Sequence, residues 1–386
     1  MIPSISLSDL ANDFMRVLYP AETVYGSLGY DVYRAAFDLF GASIQTYENL
    51  TLLFIALTMI LLIRKSFLAF MVYLALCVFN SPTLNLMHPY SLSGLVQSFL
   101  LICLVSTDNL WIKRALVFLI CLGKVEIALA VILFTGAFWA TPLLLFSISK
   151  VVISLEPMSL MYPIKIFLVS VGGIWAPVLA LIQKGPDLTH ALQMLLLVLM
   201  LWPINWLGIL LHLRMLFNQG SQSIFTMHMA PLMIKNKWQR VGISILCAVI
   251  LYQKLPNPNT LFGYFAYKTP YGVIRISGDG YGFDMVATAN WIKNHPGPIW
   301  SGPNMDIYFL TGREPVAEKG YIPFLNHLKA DGGQSDRDTI EAIKGVKYVV
   351  IDKFKHKEIG WLPLTNRFAR EQKRVFENEH FLIGEI

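Results

Sequence analysis

Carboxylates able to accept a proton from a hydroxyl group gather near the start of the chain. Asp13 lies in Asp13-Phe14-Met15-Arg16-Val17-Leu18-Tyr19-Pro20-Ala21-Glu22, and Asp31 follows shortly after. An outward-facing carboxylate beside an apolar surface is suited to general-base work on a hydroxyl acceptor. Glu22 and Asp31 compete with Asp13 for that role, and all three would equally serve to keep a helix face wet. Groups able to contact a phosphate or sugar are dispersed along the chain: His88 in a loop without Lys or Arg, Lys124 in an apolar stretch, and Arg313 after Gly312. The bland readings are a solvated loop histidine and an arginine that braces its domain on the membrane portion.

Lys124 and Glu126 interrupt the apolar run Leu122-Gly123-Lys124-Val125-Glu126. A central Lys costs about 2.5–3.5 kcal/mol to insert, so a membrane position requires a partner or a water-filled cavity. Residues two apart on a helix do not face each other, which argues against pairing of these two. Gly278-Asp279-Gly280-Tyr281-Gly282 lacks the full glycine pattern and the Lys-Ser/Thr of a phosphate-cradling loop. A flexible turn accounts for it better. Asp306 to Pro315 ends a short helical pattern on Gly312 and then places Arg313 and Pro315.

The elements that must position these groups follow from hydropathy. Of 386 residues, 55% are hydrophobic and 15% charged, against about a quarter charged in soluble domains. Eight apolar stretches suggest membrane spans: Leu50 to Ile63, Phe67 to Phe79, Leu92 to Val105, Ala115 to Phe134, Thr141 to Leu155, Tyr162 to Ile182, Leu188 to Leu211 and Val241 to Gln253. The expectation is therefore a mainly α fold, a multi-pass transmembrane helical bundle of about eight spans. A carboxy-terminal extracytoplasmic α/β domain would follow it.

Charge supports a division into 1–48, 49–254 and 255–386, with net charges of about −4, +9 and +1 against a total of +6. Placing 1–48 outside puts Arg64, Lys65, Lys113, Arg114, Lys150, Lys165, Arg214, Lys235, Lys237 and Arg240 at cytoplasmic ends and leaves only Lys184 and Lys254 near outer ends. The basic balance thus reports cytoplasmic loops and not nucleic-acid binding. Amino- and carboxy-terminal segments would both be extracytoplasmic at a plasma (inner) membrane. The four cysteines fall in apolar stretches at unrelated spacings and support neither a disulfide framework nor a zinc site.

Within 1–48, apolar residues recur at Leu7, Leu10, Phe14 and Val17 and at Leu28, Val32, Ala36 and Leu39, predicting two amphipathic helices on the outer membrane surface. In the last third, Gly272–Ile276 and Val346–Asp352 are expected strands. Asp284–Asn294 and Asp336–Lys344 are expected helices.

Together, several features resemble the GT-C superfamily of integral-membrane, polyprenyl-phosphate-sugar-dependent glycosyltransferases. They are the outer segment leading through Leu39-Phe40-Gly41-Ala42-Ser43, His88-Pro89, Gly123-Lys124, Trp291-Ile292, Tyr308 to Pro315 and Tyr348-Val349-Val350-Ile351-Asp352. The resemblance implies hexosyl or pentosyl transfer from a polyprenyl-phosphate carrier to an extracytoplasmic acceptor, the lipid bilayer and the lipid-linked donor being the partners. It implies an inverting displacement in which an outer-loop acid takes the acceptor proton and cations stabilise the leaving phosphate. Asp13 matches that acid by position, with Glu22, Asp31, His88, Lys124 and Arg313 as substrate-binding candidates. A divalent metal ion is compatible with this chemistry, although the residues specify no ligand set. Members normally carry one span before the outer loop, whereas this chain starts almost at the loop, so the resemblance implies either an amino-terminally shortened member or an internal start codon. The alternative is a non-catalytic protein of like architecture that binds a lipid-linked sugar or an envelope-assembly partner. A transporter, which would show an inverted repeat, is a third and weaker reading.

Overall fold

The computed structural model describes residues 7–19, 27–75, 91–123, 128, 131–132, 135–145, 195–196, 199, 231–232, 234–253, 263–301, 305–315, 345–353 and 373–385. The chain forms two compact units. One comprises Met1–Pro3, Thr23–Leu39 and Glu48–Asn257; the other comprises Ser4–Glu22, Phe40–Tyr47 and Pro258–Ile386.

The first unit is helical in its described residues. Helix α2 (Ser27–Phe40) presents Tyr30, Tyr33 and Phe37 inward at helical spacing. Its Tyr33 hydroxyl lies 2.7 Å from Thr51 Oγ1 on α3 (Ile44–Lys65). Along α3, Thr51, Ile55, Thr58 and Leu62 are buried, whereas Leu53, Leu57, Ile60 and Ile63 are exposed. A helix apolar on both its packed and its outward faces belongs either in a protein core or in a membrane. At 22 residues it reaches about 33 Å, enough for the hydrocarbon core. Arg64 and Lys65 close its last turn, where cations are favoured. After α4 (Phe67–Tyr73), α5 (Ser91–Ser106) packs on α6 (Leu110–Cys121). The buried Gln97 amide donates to Ile120 O at 3.0 Å. Helix α7 (Lys237–Gln253) buries Ile243, Leu246, Cys247 and Ile250.

The eight-span bundle is not the architecture found. Among the described residues, α3 is the one helix long and apolar enough to cross a membrane. The expected span Ala115 to Phe134 is divided: α6 stops at a Leu122 cap after 12 residues, about 18 Å, and Gly136 adopts φ 67° at a further turn. Helices α5 and α7 hold 16 and 17 residues, about 24 and 26 Å, short of a core about 30 Å thick. Hydropathy alone does not distinguish such short apolar helices from spans, because both carry apolar runs. Tyr162 to Ile182 lies outside the described residues, as do most of Leu188 to Leu211 and the expected helix Asp336–Lys344.

The second unit is a mixed α/β assembly. A hairpin joins β1 (Tyr264–Thr269) to β2 (Gly272–Ser277). A four-stranded sheet runs β3-β4-β6-β5, with β3 (Ile299–Trp300) parallel to β4 (Tyr348–Asp352) and the pairings β4/β6 (Phe381–Glu385) and β6/β5 (Lys373–Glu377) antiparallel. Strand β4 is buried throughout, consistent with its unbroken Val-Val-Ile run. Helix α8 (Gly280–Asn294) buries Met285, Thr288, Ala289 and Ile292 along one stripe. Helix α9 (Asp306–Thr311) is buried from Asp306 to Leu310 and ends on Gly312 at φ 71°.

Candidate functional site

Helix α1 (Leu7–Leu18) carries Asp13 and belongs to the second unit. Its stripe Leu10, Phe14 and Val17 is buried, together with Ala11 and Met15. This apolar face, amphipathic in sequence, is satisfied by protein. Phe14 meets Tyr271 at 4.9 Å and Phe309 at 5.3 Å between ring centroids, with Tyr47 at 6.1 Å. Tyr271 occupies the turn of the β1–β2 hairpin, and its carbonyl accepts from Ile44 N–H at 3.0 Å. One residue before Phe14, Asp13 is half-buried. One residue before that, Asn12 Oδ1 accepts from Met305 N–H at 3.4 Å, at the entry to α9. Asp13 thus rides on a helix gripped on both sides of its position. Burial and the neighbouring Tyr19 push the Tyr271 hydroxyl up to about 12, so it remains a neutral hydrogen-bonding group at ordinary pH.

Arg313 leaves α9 just after the Gly312 cap. Its Nη2 donates to Ile292 O and His295 O, each at 3.4 Å. These are terminal carbonyls of α8, where a cation is favoured. Arg313 therefore braces α9 against the end of α8, a contact within its own unit. Because α1 packs on α9, the structure gathers Asp13 and Arg313 into one unit. Asp31 belongs to the other unit; it is exposed and pairs with Arg34 at 3.5 Å one turn along α2. Such a surface pair is worth about 0–1 kcal/mol. Glu22, His88, Lys124 and Glu126 lie outside the described residues.

A second set of polar groups, not anticipated from sequence, lies where the parallel strands β3 and β4 end. Open α/β sheets usually place ligands at such carboxyl edges. Tyr281 in the first turn of α8 donates to Asp352 Oδ2 at 2.5 Å, at the end of β4. Burial pushes the Tyr281 hydroxyl far up, and the charges of Asp352, Asp306 and Asp279 add to that. Tyr281 is therefore a permanent donor. Asp306 and Asp352 are buried, and so much negative character repels a phosphate while accepting from hydroxyls. The nearby glycines serve packing. Asp279 caps α8 by accepting from Gly282 N–H at 2.8 Å. A Cβ at Gly282 would lie 2.0 Å from Ser277 O. Gly278 to Gly282 is thus the capped start of a helix set tightly on β2, not a flexible turn. Likewise Gly123 is where Gln97 packs, since a Cβ there would lie 2.0 Å from Gln97 Nε2.

Among the described residues, one group has donor types and spacing for a divalent ion: Asp284, Glu379 and His380. Comparison of the chain with protein families, with curated proteins and with solved structures finds no match.

Proposed function

We propose that this protein is a membrane-associated glycosyltransferase that moves a sugar from a polyprenyl-phosphate carrier to an acceptor outside the cytoplasm, with Asp13 as general base. The observation that carries the reading is the seating of α1. Phe14 and Asn12, which flank Asp13, are held by Tyr271, Phe309 and Met305, so the carboxylate stands on a rigid support. A base must lie within hydrogen-bond reach of the proton it takes, and a rigid helix keeps it there better than a loose tail. The half-buried setting of Asp13 limits competing solvation. Helix α3 offers an anchor in the bilayer, and Arg64 and Lys65 at its end favour the cytoplasmic side. The acceptor-rich Tyr281–Asp352 edge suits hydroxyl recognition better than the carrier phosphate.

Membranes expressing the chain should transfer radiolabel from at least one member of a panel of polyprenyl-phosphate sugars. Asp13→Asn should insert equally well and transfer more slowly by about 10²–10⁴. Normal transfer by that variant would remove Asp13 as base.

One observation favours the alternative of a non-catalytic protein that binds a lipid-linked sugar or an envelope partner. The guanidinium of Arg313 is engaged with the Ile292 and His295 carbonyls, which withdraws one candidate for the leaving phosphate. A well-inserted protein inert toward the whole donor panel, yet copurifying with a stable partner, would establish that reading.

A further inference from the structure

We propose that Asp284, Glu379 and His380 form a binding site for a divalent transition-metal ion of the zinc class. Asp284 lies in the second turn of α8, whereas Glu379 and His380 form the turn between β5 and β6. Some 95 residues of chain separate the two places. The fold brings one donor atom from each of the three within 4.8 Å of the others. Two carboxylates and one imidazole balance a divalent charge, and they supply the oxygen and nitrogen donors that such ions accept. His380 Nδ1 lies 2.8 Å from Asp284 Oδ2. Ligands of a tetrahedral zinc ion with bonds of about 2.0–2.1 Å stand about 3.3–3.4 Å apart, so an ion replacing the shared hydrogen needs the pair to open by about half an ångström. Glu379 is exposed and can swing to complete the set, leaving outer positions for water.

The supports around these donors resemble the outer shell of a metal centre. Asn378 Oδ1 accepts from His380 N–H at 3.2 Å and from Phe381 N–H at 2.7 Å. Its Nδ2 donates to Asp284 O at 2.9 Å and Thr288 Oγ1 at 3.2 Å. Asn378 thereby fixes the strand turn against α8. The Tyr281 ring holds the imidazole edge-on with centroids 5.3 Å apart. Two of the three donors are thus oriented before any ion arrives, which lowers the ordering cost of binding.

The inference is independent of the transferase reading and is tested without a sugar. The full chain, purified in detergent and freed of metal with a chelator, is titrated with zinc(II) against a metallochromic competitor. One zinc per chain is expected, bound at least tenfold more weakly in Glu379→Gln and in His380→Gln. Glu379 is exposed, so its substitution leaves the fold intact, which near-ultraviolet circular dichroism checks. Absence of a stoichiometric zinc, or binding by both variants as tight as the parent's, would overturn the site and leave the His380–Asp284 contact as a plain ion pair.

Discussion

Replacing Phe14 by alanine is the sharpest structural test of the seating of α1. The ring is fully buried, at 0% exposure, and touches three other rings. Phe→Ala in a packed core costs about 3–5 kcal/mol, which already contains the aromatic pair energies of about 0.5–1.5 kcal/mol each. Because 1.4 kcal/mol is a factor of ten, hydrogen-exchange protection of the α1 amides should fall by about two to three and a half decades. Tryptic cleavage after Arg16 should accelerate with it. Phe40→Ala is the control, since Phe40 belongs to the same unit yet is 77% exposed. Surface changes of that kind stay within about 0.5 kcal/mol. Equal loss of protection in the two variants would refute the packing of α1 in the carboxy-terminal unit.

Other outcomes follow from the same geometry. Gly282→Ala should destabilise by about 1–3 kcal/mol because its Cβ meets the Ser277 carbonyl. Gly242→Ala, in open space on α7, should instead stabilise by about 0.5–1 kcal/mol, and denaturant melts compare them. Tyr281→Phe should cost about 1–3 kcal/mol by removing a donor to the buried Asp352. Tyr271 is raised from 10.0 to about 12, so the fold favours its neutral form. That stabilisation is fully present below the lower value and is lost as pH climbs through the upper one. Thermal melts of Tyr271→Phe should therefore show a shallower alkaline decline across this window than the parent.

Much of the local structure was legible because it is written in short-range pattern. The spacing of Leu10, Phe14 and Val17 marks α1, the Val-Val-Ile run marks β4, and Gly312 followed by Arg313 marks the end of α9. Three things were not legible. The apolar runs hide where helices stop, because the cap at Leu122 and the positive-φ Gly136 interrupt hydropathy hardly at all. The amphipathic stripe of α1 looks the same whether lipid or protein covers it, and the ring partners Tyr271 and Phe309 are more than 250 residues away. Strand β5, Lys373–Glu377, is polar and half-exposed, so it carries no strong strand signal.

The candidate site follows the same division. Asp13 was visible as a carboxylate in an amphipathic segment, and Arg313 as a cation after a helix stop. That Arg313 turns back onto α8 depends on where Ile292 and His295 present their carbonyls. Tyr281 with Asp352, and Asp284 with His380, are pairings across 71 and 96 residues. Nothing in the spacing of those residues foretells them; only strand order brings them together.

The central claim stands or falls on sugar transfer by the purified chain in lipid vesicles, comparing the parent with Asp13→Asn on a single polyprenyl-phosphate sugar. The parent should move label to the acceptor. The variant, identical in α1 protection from exchange, should be slower by about 10²–10⁴, the usual contribution of a general base. Equal rates in the two proteins would contradict the assignment of Asp13. An inert parent across every donor would contradict the transferase itself.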